Sequence, residues 1–502
     1  MEMHQEMGMP QFNTRKIKAL AIAGVASIAL SACATIPGAN VAPGSPITAE
    51  EAQVGAQYHE QFVAEFGGEM TGPQARYVQQ VGQNIALQSG LATSPGAFDV
   101  TLLNSSVNNA FAVPGGYVYA TRQLVNLMNN EAELAAVLGH EVGHVAARHS
   151  ARRQAAAQRN QLGGVGIAIL SQLLLGNSQL GNTVSQGAMQ LSQSLTLSYS
   201  RNQELEADAL GIQYLNSAGY DPRAMATLLQ SLAAQNQLDA QLQGRDNATI
   251  PEWASTHPDP ASRVQNAVQL AGNATGATSR NTFLNSIDGM IYGDDPEQGV
   301  IEGRQFIHPI LRFSFTAPQG FYMVNSPRAV SINGDGGRSQ LTLAQYDGNL
   351  ENYVRSVFRA LGGEQQQLAP QSLERTTVNG LPAAYGTARV NNGQSQVDVT
   401  VFAYDFGNGQ AYHFQSITPA GQAGTFNSLY NSMERISAAE AGSVVPRRID
   451  IVTAQPNDTV ARMARFMAYD DAQVARFRVL NGLFGDAEVV PGQQYKIVVR
   501  SN

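Results

Sequence analysis

Residues 130–145 read Asn-Glu-Ala-Glu-Leu-Ala-Ala-Val-Leu-Gly-His-Glu-Val-Gly-His-Val. Asn130 and Glu133 stand three residues apart, the spacing of a capping box that starts a helix. Leu134, Val137, Leu138, Val142 and Val145 then recur with helical period and form one apolar stripe. The stretch is therefore a helix with a face made to be buried. Inside it lies the pattern His140-Glu141-Val142-Gly143-His144. One turn apart, His140 and His144 share a face and can bind a single tetrahedral Zn²⁺. Glu141 sits beside that face, where it can take a proton from a metal-activated water.

A catalytic zinc needs a third protein ligand and an open position. A second helix, over about Arg201–Leu215, carries Glu204-Leu205-Glu206-Ala207-Asp208. Glu204 and Asp208 are one turn apart and share a face with Gly211 and Leu215. Glu206 points about 200° from Glu204, on a side with Asn202, Gln213 and Ser217, and reads as solvated. Glu204 is thus the expected third ligand. Asp208, one turn deeper, is expected to orient a ligating histidine through its free ring nitrogen. His149 falls about 180° from His140 on the helical wheel and is set aside as a ligand.

These residues resemble a known group. HExxH, then about sixty residues, then ExExD looks like the gluzincin peptidases of the CAAX-prenyl-protease and HtpX type. Ala110-Phe-Ala-Val-Pro-Gly-Gly-Tyr117 with Glu133-Leu-Ala-Ala-Val-Leu-Gly-His-Glu-Val-Gly-His144 is similar to its soluble periplasmic branch. That branch includes a protease assisting β-barrel assembly in the outer membrane. The resemblance covers about residues 50–270. It implies that His140, His144 and Glu204 hold one Zn²⁺ per chain, that Glu141 is the general base, and that Asp208 is a proton donor. It also singles out Ser255-Thr-His257-Pro-Asp-Pro-Ala-Ser-Arg263, where the relatives' histidine approaches the metal. The implied role of His257 is to fill the open position at rest or to stabilise the oxyanion. Arg263 would hold that loop or a carboxylate behind the ligands. The helical repeats of the assembly protease have no counterpart here, since no 34-residue period occurs.

Around this centre the sequence suggests an exported protein. Arg15, Lys16 and Lys18 precede an apolar run, Ala19–Leu30, too short to span a bilayer. Leu30-Ser-Ala-Cys33 looks like a lipobox. Residues 1–32 are then a lipoprotein signal peptide and Cys33 the lipidated anchor. By resemblance to sorted lipoproteins, Ala34 in place of Asp favours the outer membrane. Cys33 is the one cysteine, so no intramolecular disulfide can form. A net charge of −8 excludes a basic nucleic-acid face.

The 502 residues suggest about three domains at roughly 150 each. The expected fold class is multidomain α+β. Residues 33–48, rich in Pro, Gly and Ala, read as a tether. Residues 49–275 form a mainly helical zinc peptidase domain with a small β-sheet. Its expected elements include a strand at Phe98–Leu102 and a hairpin of Asn109–Val113 with Tyr117–Ala120. The Gln/Ser/Gly-rich stretch 154–200 between the metal helices reads as a lid. Residues 300–438 form a second α+β domain of unknown role, with helices near Asn352–Leu361 and Gly424–Ile436. After a linker at Ala438–Val445, residues 447–499 resemble a LysM module, a βααβ unit that binds N-acetylglucosamine-containing glycan. Asn457 stands where that module's turn has Gly.

The reading is a zinc-dependent endopeptidase of the bacterial periplasm, cleaving unfolded or misassembled envelope proteins. Its partners would be protein or peptide substrates, the membrane through Cys33, and peptidoglycan. The rival is a lipid-anchored chaperone or adaptor with a latent zinc site.

Overall fold

The computed structural model describes residues 41–153, 199–242, 257–362, 368–391 and 396–501. The signal peptide, Cys33 and most of the expected lid lie outside the described residues. Among these, no helix is long and apolar enough to cross a membrane.

Helices α1 (Ala49–Glu65) and α2 (Pro73–Leu87) precede a three-stranded sheet of β1 (Asp99–Leu103), β2 (Ala110–Val113) and β3 (Tyr117–Thr121). Its order is β1-β3-β2, with β1 parallel and β2 antiparallel to β3, so β2 is an edge. The expected hairpin forms because Gly115 and Gly116 supply positive φ of 99° and 87° at the corner. Thr121 caps the short helix α3 (Arg122–Leu127), and α4 (Glu131–Ala146) follows. Asn130 accepts from the Glu133 amide as expected, at 2.9 Å. The Glu133 carboxylate reaches back to the Asn129 amide, one residue earlier than a capping box requires (2.8 Å).

Helix α4 is buried along nearly its whole length, not on one stripe alone. It is the centre of the core, flanked by α2, α5 (Arg201–Ser217) and α6 (Ala224–Leu242). Leu134, Val137, Leu138 and Val142 are fully buried there, each contributing roughly 1.5–3 kcal/mol. Helices α7 (Pro260–Ala271) and α8 (Arg280–Ile287) complete the region. Residues 44–48, expected as tether, are tied down instead. The Gly44 amide donates to the Ala146 carbonyl at the end of α4 (2.8 Å), and Ile47 to Leu91 (3.0 Å).

The middle of the chain is strand-rich, as expected. Strands β4 (Ile291–Tyr292), β5 (Val300–Glu302), β6 (Gln305–His308) and β7 (Phe313–Thr316) lead into β8 (Tyr322–Ser326), β9 (Ala329–Gly334) and β10 (Gly337–Gln345). After α9 (Leu350–Gly362) come β11 (Ser372–Val378), β12 (Leu381–Asn391), β13 (Gln396–Asp405), β14 (Gln410–Pro419) and the short β15 (Glu434–Arg435). Seven of them form an antiparallel sheet in the order β11-β12-β13-β14-β10-β9-β8. The apolar face of α9 packs on β12 and β13. The helix expected over Gly424–Ile436 forms as a 3-10 turn, Ala423–Phe426, running into a short α-helix, Asn427–Asn431. Beyond it the chain turns into β15, because Glu434 and Arg435 pair with Ser314 and Phe313 of β7.

The closing residues run β16 (Arg447–Thr453), α10 (Val460–Ala464), α11 (Gln473–Leu480) and β17 (Gln494–Arg500), a βααβ order. They do not stand apart. Strand β16 pairs with β4, and Ile449, Phe477, Tyr495 and Val498 belong to the same apolar core as α4. Lys496 is wholly buried and donates to the carbonyls of Asn126 (2.8 Å), Leu127 (3.3 Å) and Met128 (2.5 Å) at the end of α3. Those carbonyls have no partner within the helix, and the amine supplies one; burial pushes its pKa well below that of an ordinary lysine, opposed by Glu133.

Candidate metal centre

The close approach of α4 and α5 builds the site, and small residues make it possible. At Gly143 a Cβ would lie 3.1 Å from the Ala207 carbonyl oxygen, and at Gly211 one would lie 3.2 Å from the His140 nitrogen. With no side chains between them, the helices bring Glu204 and Asp208 against His140 and His144.

Four buried donors converge: His140, His144, Glu204 and His257. His140 Nε2 lies 3.0 Å from His144 Nε2 and 3.3 Å from His257 Nδ1. Glu204 Oε1 lies 3.4 Å from His144 Nε2 and 3.1 Å from His257 Nδ1, and Glu204 Oε2 lies 3.6 Å from His140 Nε2. A tetrahedral ion with arms of about 2.0–2.1 Å sets its donors roughly 3.3–3.4 Å apart. The observed separations bracket that edge.

Proton bookkeeping points the same way. His140 Nδ1 is 2.9 Å from Asp208 Oδ1, a carboxylate able only to accept, so His140 carries its proton there and a lone pair at Nε2. His144 Nδ1 is 2.8 Å from His149 Nδ1, and donation there leaves a second lone pair at Nε2. Two lone pairs facing each other at 3.0 Å repel unless a cation lies between them. Burial pushes the His144 imidazole well below its ordinary pKa, keeping it neutral and free to ligate.

Glu141 fits the same arrangement. Burial, helped by Glu204 and opposed by His140 and Arg263, pushes its carboxyl up to about 8. Its Oε1 is buried without a hydrogen bond, although His257 Nε2 stands 3.4 Å away. A buried carboxyl oxygen without a hydrogen bond is costly; a water held by a cation among the four donors suits this position, and the same cation would draw the group back toward the carboxylate a base must be. The donor set therefore fits a metal ion.

Behind the donors, Arg263 is fully buried and grips Asp208 with two nitrogens, Nε to Oδ2 at 2.8 Å and Nη2 to Oδ1 at 2.5 Å. Its third nitrogen, Nη1, donates to Glu204. Burial would raise both carboxyls. His257, His144 and Arg263 hold Glu204 well below the usual range instead, and Arg263 and His140 lower Asp208.

Every site residue expected in 140–263 thus meets in one place. Three others were missed. Tyr199 stacks face to face on the His144 ring, centroids 3.8 Å apart. His149, set aside on the helical wheel, touches His144. Glu206, expected in solvent, is half-exposed and paired with His149 and Arg152, each at 3.1 Å. Nothing in the local pattern announces Tyr199.

Residues 73–271 match the model of peptidase family M48. Over 256 residues the chain is 31% identical to the beta-barrel assembly-enhancing protease of Escherichia coli O157:H7, covering 50% of each. Similarity extends to the protein of that name in Yersinia pestis, 35% over 193 residues and 38% of each. It also reaches the mitochondrial metalloendopeptidase OMA1 of Arabidopsis thaliana, 34% over 167 residues, 33% of this chain and 30% of that one. The chain spans about half the length, or less, of these relatives. The four donors, Glu141, Asp208 and Arg263 all lie inside the residues matched to peptidase family M48.

Proposed function

We propose, from the match of residues 73–271 to peptidase family M48, that the protein is a zinc-dependent endopeptidase of the bacterial periplasm. Its substrates would be unfolded or misassembled envelope proteins, and a lipid on Cys33 would hold it to the outer membrane. The observation that carries the reading is the buried donor cluster with Glu141 Oε1 unpartnered beside it. His140, His144 and Glu204 would hold the ion, Asp208 and Arg263 keeping His140 and Glu204 in place. Zinc, when bound, would polarise the scissile carbonyl and make a water nucleophilic near neutral pH. Glu141 would be the base that takes a proton from such a water and returns it to the leaving amine. Edge strand β2 can extend its sheet with a substrate strand, which suits unfolded chains better than folded ones.

His257 bears on a second reading. Its Nδ1 stands where the open position should be, 3.1 Å from Glu204 Oε1 and 3.3 Å from His140 Nε2. A closed set of four is the mark of a resting or structural site, and it supports the alternative of an anchored chaperone or adaptor with latent zinc. We favour a plug that substrate displaces. The βααβ order at 447–500 supports a LysM-like fold for that unit, and peptidoglycan is the ligand the resemblance implies.

The deciding experiment is zinc content with casein cleavage, with and without a chelator, for wild type and Glu141→Gln. The peptidase reading requires about one zinc per chain and cleavage lost in both the variant and the chelated protein. Cleavage untouched by either change would overturn it.

A further inference from the structure

Continued past its end, α4 would carry His149 about 180° away from His140. The helix does not continue. Helix α4 stops at Ala146, Arg148 takes a left-handed φ of 54°, and helix resumes over 149–153. For a residue with a Cβ this conformation costs roughly 1–2 kcal/mol, so something must hold it. The Arg148 guanidinium is buried and donates to the carbonyls of Val145 (2.9 Å), Ser45 (3.0 Å) and Pro46 (3.3 Å), and its Nε lies 3.1 Å from Glu51 Oε1. Those contacts draw in the N-terminal segment and α1 to secure one backbone reversal.

The reversal folds the His149 ring under His144. His149 is fully buried, its Nδ1 2.8 Å from His144 Nδ1 and its Nε2 3.1 Å from Glu206 Oε2. Gln203 donates to its carbonyl (3.3 Å), and Arg152 Nη1 donates to the same Glu206 oxygen (3.1 Å). One proton assignment satisfies every link. Glu206 as a carboxylate can only accept, so His149 donates from Nε2. Its Nδ1 is then a lone pair, so His144 donates from Nδ1 and presents the lone pair of Nε2 to the donor cluster.

We infer that His149 and Glu206 are positioning residues of the metal centre, a two-link relay that fixes the ring orientation and tautomer of His144. This rests on the reading of His140, His144 and Glu204 as metal ligands. The two ligating histidines are thereby held differently. His140 is held directly by Asp208 under Arg263. His144 is held through an intervening imidazole whose far end is a half-exposed carboxylate. Partners of this kind typically govern metal affinity by about 10–100-fold.

The test is the rate at which the zinc-loaded full chain yields its metal to a chromophoric chelator, with thermal melts of loaded and stripped protein alongside. Asn at 149 sets a carbonyl oxygen near the place of Nδ1 and can still accept from His144. Gln sets its amide near the place of Nε2 and cannot. His149→Gln and His149→Phe should release zinc about 10–100-fold faster than wild type, and His149→Asn within about threefold of it. Glu206→Gln still accepts from His149 but without charge, so its release should quicken by only a few-fold. Equal release from the Asn and Gln variants would mean that the ring merely fills space, and would overturn the relay. That comparison needs no result from His149→Phe should it fail to fold. A wild-type chain that takes up no zinc would sink the metal-site reading, and the relay with it. If Glu204→Ala loses zinc while all position-149 variants keep it, the site reading stands and the relay alone falls.

Discussion

Gly143→Ala tests the claim that bare helix–helix contact sets the metal geometry. The added Cβ would meet the Ala207 carbonyl oxygen at 3.1 Å, and both Ala207 Cα and Leu210 Cβ at 3.3 Å. Comfortable separations start near about 3.5 Å, and two of these three atoms are α5 backbone, so α5 must retreat by a few tenths of an ångström. Overpacking of this kind costs about 1–3 kcal/mol. Alanine in place of a mid-helix glycine returns about 1 kcal/mol. The net loss of stability is thus about 0–2 kcal/mol, a melting shift of a few degrees for the stripped protein. The metal feels the retreat more sharply. Glu204 rides on α5 while both histidines ride on α4, and a metal site tolerates only about 0.2 Å in its ligand distances. Zinc affinity should therefore fall by at least about tenfold, measured by competition with a chelator of known affinity. Gly139→Ala is the control, since its added Cβ would press on the Ile85 side chain of α2 at 3.2 Å and stay 3.6–3.7 Å from the α5 backbone at Gly211. It should bind zinc more nearly like wild type. Undiminished zinc affinity in folded Gly143→Ala would refute the argument.

Three further predictions concern other parts of the molecule. His257→Ala should retain about one zinc through the three remaining donors and cleave casein faster; a loss of about 10²-fold would instead make His257 an oxyanion donor. Lys496→Met keeps the apolar stem but strands the carbonyls of Asn126 and Met128 at the end of α3, while that of Leu127 keeps the Asn129 side-chain amide (3.3 Å). It should destabilise the full chain by about 2–4 kcal/mol, and a melting temperature within a degree of wild type would contradict the interlock. Burial raises the Asp239 carboxyl from 3.8 to about 6 despite Arg476. The folded form thus holds a proton that the unfolded chain releases near pH 4, and the stability this supplies is lost as pH rises through about 6. Asp239→Asn should remove that loss, stabilising the protein at pH 7 by up to about 3 kcal/mol and changing little below pH 4, as read from melts across that range.

What the sequence determined by itself is what short-range periodicity can encode. Two histidines four apart must share a helical face, as must Glu204 and Asp208, so most of the donor set was legible before any fold was known. The same holds for the hairpin at Pro114-Gly115-Gly116 and for the alternation of the long strands. The same tool kept His149 and Glu206 out of the donor set, where neither lies, but misplaced both side chains. The helical wheel assumes that the helix goes on and that no other element covers its far side. The left-handed turn at Arg148 breaks the first assumption, and the returning chain at His149 breaks the second. Likewise the closing βααβ unit was legible as a unit, but its union with the core was not. Lys496 reads as an ordinary strand lysine until three carbonyls 368 to 370 residues earlier in the chain receive it. His257 reaches Glu204 across 53 residues. Such pairings depend on where the packed core brings distant backbone together. No repeat of 2 or 3.6 residues carries that information, so only the tertiary structure could decide them.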